Sequence, residues 1–189
     1  MSNDGRIQLS VLLAAGGGTR MGTPKGLLRL NDMPLVVAHI RALQTVSVHV
    51  CVVIGAERLA HRAVLPPDVW IVENPDWEHT MPADSLRLAL RTLKPVGPVL
   101  VTPVDTPVAA PEVLAALLRA PAPAVPHSPD GTPGHPVLIS AQQALQIRQQ
   151  APDGGLRMLL QSAQPVPVES DVHRNFNDPQ AWEAYLASG

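Results

Sequence analysis

The stretch VLLAAGGGTRMGTPKGLL, Val11 to Leu28, decides how this chain is read. An apolar run enters three consecutive glycines, and Arg20 and Lys25 follow at short range. Glycines let backbone N–H groups approach an anion closely. Arg20 can grip phosphate oxygens in a bidentate way, while Lys25 supplies a mobile point charge. Ligands of open α/β sheets sit beyond the carboxyl ends of strands, which is where this loop falls. The plainer alternative is a flexible strand-to-helix loop carrying two solvated cations. Two common phosphate motifs are excluded by spacing. A dinucleotide fingerprint starting at Gly16 and Gly18 would need glycine where Met21 stands, and a P-loop on Gly17 and Gly22 would need lysine where Thr23 stands.

Outward from this loop, short apolar runs alternate with helical patterns. Residues Ile7 to Ala14, Val48 to Ile54, Trp70 to Glu73 and Val99 to Val104 read as strands. Three of these runs are almost continuously apolar, as strands covered on both faces should be. PLVVAHIRALQ (from Pro34), ERLAHRAV, SLRLALRTL and PEVLAALLRA (from Pro111) carry apolar residues at helical spacing, two of them with a leading proline. The expected fold is therefore α/β, a Rossmann-like three-layer α/β/α sandwich around a mostly parallel sheet, built as a single domain over 1–189. Beyond residue 120 the alternation weakens. APAPAVPHSPDGTPGHPVLIS reads as long, stiff connections before a strand-like PVLIS and a helical AQQALQIRQQ.

Composition narrows the function. Hydrophobic residues make up 46% of the 189 positions and charged residues 16%, a globular balance. A net charge of -2 leaves no basic surplus for nucleic acid. No apolar stretch reaches the ~20 residues of a membrane span. The lone cysteine, Cys51, lies in an apolar run and reads as a buried thiol, consistent with a reducing cytoplasm. The seven histidines lack metal-ligand spacing and a cysteine partner, so zinc chemistry is not expected. The tryptophans, Trp70, Trp77 and Trp182, read as packing residues.

Taken together, LAAGGGTRMGTPK resembles the L-A-[AG]-G-x-x-x-R-M-G-x-x-K signature of the MobA-like nucleotidyltransferases. Leu13, Ala14, Gly16, Arg20, Met21, Gly22 and Lys25 agree with it. NPDW (Asn74 to Trp77), SLR (Ser85 to Arg87), VTPVDTP, GTPGHPVLIS and NDPQAW follow in the family's order, so the likeness covers most of the chain. The family moves a nucleotide monophosphate from an NTP onto a phosphate acceptor. Ala15, Pro24 and PGHPVLIS are similar to the molybdopterin cytidylyltransferases, whereas TPVDTP resembles the guanylyl branch; the balance favours CTP.

The resemblance implies roles residue by residue. Arg20, Lys25 and Asp105 are the expected catalytic set. Leu13, Ala14, Ala15, Gly16, Gly17, Gly18 and Ser85 are expected to join them in holding the nucleotide. Gly134, His135 and Pro136 are the expected acceptor loop, with a solvated loop histidine as the alternative for His135. Asp105 is the expected Mg2+ ligand, with Mn2+ as a substitute; its alternative is capping the helix near Pro111. Where the family has a D-x-D-x-P segment this chain has Asn175 and Asn177, so Asn177 is the expected second ligand and Asp178 a candidate to compensate. HTMPADSLRLAL departs from the family pattern, and Asp84 reads there as a helix N-cap or Ser85 as a nucleotide contact.

The implied partners are an NTP and a molybdopterin-type acceptor, with a molybdoenzyme to receive the product. A guanylyltransferase or sugar-phosphate nucleotidyltransferase of the same fold is the first alternative. A non-catalytic nucleotide-binding chaperone that delivers a cofactor is the second.

Overall fold

In the computed structural model, residues 5–151, 155–158 and 163–187 are described. The central strand is β1 (Ile7–Ala14), parallel to β4 (Ser47–Ile54) on one side and to β6 (Val99–Pro103) on the other. A short hairpin of β2 (Arg29–Leu30) and β3 (Met33–Pro34) stands apart. Strand β5 (Trp70–Glu73) extends the sheet beyond β4. On the far side come β7 (Ala124–His127), β8 (Val137–Ile139) and β9 (Gln164–Pro167), giving the order β5-β4-β1-β6-β8-β7-β9. Strand β8 is antiparallel to both of its neighbours, and β7 and β9 are parallel.

The strand order reverses beside β1. The chain runs from β1 outward to β4 and β5, then returns to place β6 on β1's other flank. Such a switch point leaves a crevice beyond the strand ends, and this one opens between the glycine loop and the residues after β6.

Helices cover both faces. α1 (Leu35–Gln44) and α4 (Pro111–Arg119) bury Leu35, Ile40, Leu114 and Leu117 against Leu12, Val52 and Leu100. α6 (Pro179–Ala187) joins them through an aromatic cluster of Phe176, Trp182 and Tyr185, with ring centroids 4.5–5.7 Å apart. On the opposite face, α3 (Pro82–Leu93) and α5 (Ala141–Gln149) bury Leu86, Leu90, Ala144 and Ile147 against Val11, Val53 and Val101. Most β1 side chains thus alternate between two cores, which is why the run is apolar throughout. The shorter α2 (Arg58–Val64) follows β4. α5 starts with a capping box: Ser140 Oγ accepts from Gln143 N–H, and Gln143 Oε1 accepts from Ser140 N–H. No helix among the described residues is long and apolar enough to cross a membrane.

The proline-rich stretch departs from expectation. It contains a full strand, β7, whose Ala124 and Val125 are entirely buried. Periodicity hides it because Pro123 and Pro126 interrupt the pattern. β9 also lies outside the expected strands: it carries Pro165 and Pro167 at the sheet edge, where a missing N–H costs no ladder bond. α1 begins at Leu35, with Pro34 as its cap rather than its first residue.

Candidate active site

Past Ala14 the main chain turns over the end of β1. Gly18 has φ +61°, and a Cβ there would lie 2.1 Å from the Thr23 carbonyl oxygen, so only glycine closes the loop. Gly17 is bare for another reason: a Cβ would meet the Trp77 ring at 2.7 Å. The loop is also tied sideways, since Ala15 C=O accepts from Ala56 N–H at 2.9 Å.

After β6, Val104 N–H donates to Leu13 C=O at 2.9 Å, continuing the pairing one residue past the strand and setting Asp105 beside the glycine loop. Thr106 Oγ1 donates to Pro103 C=O at 2.8 Å, which tightens the turn. Asp105 C=O accepts from Phe176 N–H at 2.8 Å, so the C-terminal segment is laid along the same edge. With Phe176 fully buried, Asn177 is directed back to the cleft.

These constraints converge on Lys25. Its Nζ lies 2.7 Å from Asp105 Oδ2 and 2.9 Å from Asn177 Oδ1. A cavity of about 250 Å3 opens over this cluster. Of the expected residues, Leu13, Ala14, Ala15, Gly16 and Gly18 line it from the loop. Arg20, Lys25, Ser85, Asp105 and Asn177 line it as well. Gly17 does not: it faces Trp77 instead.

The expected acceptor loop lies elsewhere. Gly134 and His135 line a neighbouring cavity of about 660 Å3 with His127, Arg157, His173 and Asn175, while Pro136 lines neither. His135 is half-buried, its Nδ1 is sealed without a hydrogen-bond partner among the described residues, and burial lowers its pKa to about 4 against the opposing pull of Asp105. Under the Asp105 turn sits His39, 2% exposed. Its pKa is also lowered to about 4, by burial, with backbone hydrogen bonding at Thr106 and Val104 and the Asp105 charge working the other way.

Several local readings change. Asp105 does not cap α4, whose N-cap is Ala110. Asp178 does not reach the cleft; its Oδ1 accepts from Ala181 N–H at 2.9 Å, at the start of α6. Asp84 is the third residue of α3 rather than its N-cap, and its carboxylate reaches back to Met81 N–H at 2.9 Å. Trp77 is more than packing, since it forms a wall of the cleft with Thr80, Met81 and Pro82. The only sequence signal for that wall was the pair of segments NPDW and HTMPAD between β5 and α3; nothing local showed that they fold over the loop.

The open α/β sheet thus carries a glycine loop, a lysine and an aspartate together at its switch point, the place where ligands of such sheets sit. The family model of the MobA-like NTP transferase domain matches residues 10–168, and the chain belongs to that family. It is accordingly an enzyme of the nucleotidyltransferase type. No curated protein matches the chain. Among solved structures it is similar to Rv0371c from Mycobacterium tuberculosis H37Rv, at 26% identity and TM-score 0.83, covering 96% of this chain and 98% of that one. The Rv0371c homolog from Mycobacterium sp. strain JC1 gives 25% identity and TM-score 0.81, covering 95% of each chain. The fold is shared also with Rv0371c in complex with manganese, at 24% identity and TM-score 0.80, covering 97% and 100%.

Proposed function

We propose that the protein transfers CMP from CTP to the phosphate of a molybdopterin cofactor, releasing pyrophosphate. The observation that carries the reading is the convergence of Lys25, Asp105 and Asn177 beside the Gly16–Gly18 loop. The base preference rests on Ala15, which lines the cleft, together with Pro24 and PGHP in this sequence.

Two oxygens that already receive one positive charge are hard donors, the type that Mg2+ or Mn2+ accepts, so Asp105 and Asn177 fit a divalent ion. Among the described residues no group of three or more His, Cys, Asp or Glu side chains could hold a metal, so phosphate oxygens and waters would complete such an ion's shell. When bound, the ion would neutralise charge on the triphosphate.

The chain's own residues do the remaining work. Main-chain amides of Gly16 and Gly18, with Arg20 and Lys25, hold the triphosphate and offset the charge that builds on the α-phosphoryl and leaving oxygens. An acceptor phosphate oxygen attacks the α-phosphorus as the bond to pyrophosphate breaks. That oxygen is already an anion, so no general base is needed. The cavity lined by Gly134 and His135 receives the acceptor: His127, His173 and Arg157 on its walls suit an anionic ligand. A reduced, buried Cys51 suits a cytoplasmic enzyme that hands its product to a molybdoenzyme.

The test is divalent-dependent pyrophosphate release with each of four NTPs and the pterin acceptor. CTP should be fastest. GTP outpacing CTP would reassign the base, turnover on a sugar phosphate would reassign the acceptor, and binding without turnover would favour a delivery role.

A further inference from the structure

One buried amide organises the wall that folds over the cleft. Asn74 is 4% exposed. Its side-chain nitrogen donates to Thr80 Oγ1 at 2.8 Å and to Ser85 Oγ at 3.0 Å, and its oxygen accepts from Asp76 N–H at 3.1 Å. A backbone N–H can only donate, so that contact fixes which end of the amide is oxygen and turns the NH2 toward both hydroxyls. Each hydroxyl oxygen is thereby an acceptor. Thr80 spends its own proton on Asp76 C=O at 3.1 Å. Ser85, itself 4% exposed and lining the cleft, has no acceptor for its proton among the described residues.

We infer that Asn74 is a positioning residue that sets the Ser85 hydroxyl as a one-way hydrogen-bond donor to an acceptor atom of the bound nucleotide. The inference rests on the reading of this cleft as the nucleotide site. Because Ser85 Oγ already accepts a hydrogen bond from Asn74, its own proton is left to donate into the cleft. The residue acts through hydrogen-bond polarity and not through contact, so an isosteric change of polarity should remove its effect.

Asn74→Asp is that change. A carboxylate accepts only, so it would draw the Ser85 proton toward itself and present lone pairs to the ligand. The dissociation constants of CTP and GTP, each with Mg2+, are measured by titration, alongside KM and kcat. Ser85→Ala should weaken binding of the preferred nucleotide about tenfold, the scale of one hydrogen bond, and raise KM with kcat nearly kept. Asn74→Asp should do the same in the wild-type background and add less than about twofold in the Ser85→Ala background.

Losses that multiply in the double variant would show that Asn74 does not act through Ser85, and would overturn the inference. Should Asn74→Asp not fold, Asn74→Ala decides: loss of the amide should weaken nucleotide binding in the wild-type background and add less than about twofold in the Ser85→Ala background. Wild-type affinity in Ser85→Ala overturns the inference while leaving the cleft reading intact. If the wild-type chain binds neither nucleotide, the cleft reading itself fails and takes the inference with it.

Discussion

Lys25 Nζ and Asp105 Oδ2 are 2.7 Å apart although 80 positions separate them in the chain, and the two side chains are 18% and 26% exposed. One ammonium thereby joins the loop after β1 to the turn after β6. A point charge held between two oxygens can swing to a phosphate with little rearrangement, which a planar guanidinium cannot imitate. Lys25→Ala should lower kcat by about 100-fold or more, the scale of losing one charge-stabilising group. Lys25→Arg should recover little of it. Steady-state kinetics with the preferred NTP checks both.

Asn177 offers a neutral carbonyl oxygen where a carboxylate would bring charge. Asn177→Asp should tighten the divalent requirement, so that half-maximal activity is reached at several-fold lower metal concentration. A metal titration of activity at fixed nucleotide tests it; an unchanged midpoint would remove Asn177 from the proposed metal ligands.

His39 gives a pH signature. Its folded pKa of about 4 lies below the ordinary value of 6.5, so the unfolded chain binds the proton more readily. Stability from this group is therefore complete above about pH 6.5, falls as pH drops, and is lost by about pH 4, a span on the order of 3 kcal/mol. Urea unfolding of the wild type and His39→Gln across that window should show a shallower pH slope in the variant.

Burial raises the Cys51 thiol to about 12 and leaves it fully inaccessible. The native protein at pH 8 should resist thiol reagents and react only when unfolded. Rapid labelling without denaturant would contradict its place in β4.

Gly18→Ala combines a positive φ with a Cβ 2.1 Å from Thr23 O. Strain of about 1–3 kcal/mol plus displacement of the loop should lower Tm and abolish nucleotide binding together. Gly22 also has φ +70° but nothing within 4 Å, so Gly22→Ala should cost less.

Much of the fold was legible because its signals are local. The apolar runs of β1, β4 and β6 announce strands covered on both faces, and Pro111 announces the start of α4. β7 and β9 escaped because prolines broke the period, and their places rest on pairing with distant strands. Within the site, the glycine loop, Arg20, Lys25 and Asp105 carry chemistry in their own side chains or backbone and could be read directly. Trp77, Thr80 and Met81 could not, because an indole, a threonine and a methionine have no local mark of lining a ligand.

By itself the chain's order of residues determined an alternating α/β frame, a glycine-rich loop with two cations after the first strand and an aspartate after the fourth strand-like run. Backbone preference and side-chain chemistry act over a few residues, so a linear reading reaches them. Only tertiary structure decided that Lys25 meets both Asp105 and Asn177, that Trp77 closes the loop, and that His135 opens a second cavity. Those meetings depend on strand order and on single hydrogen bonds such as Phe176 to Asp105, which join residues whose separation along the chain carries no trace of the contact.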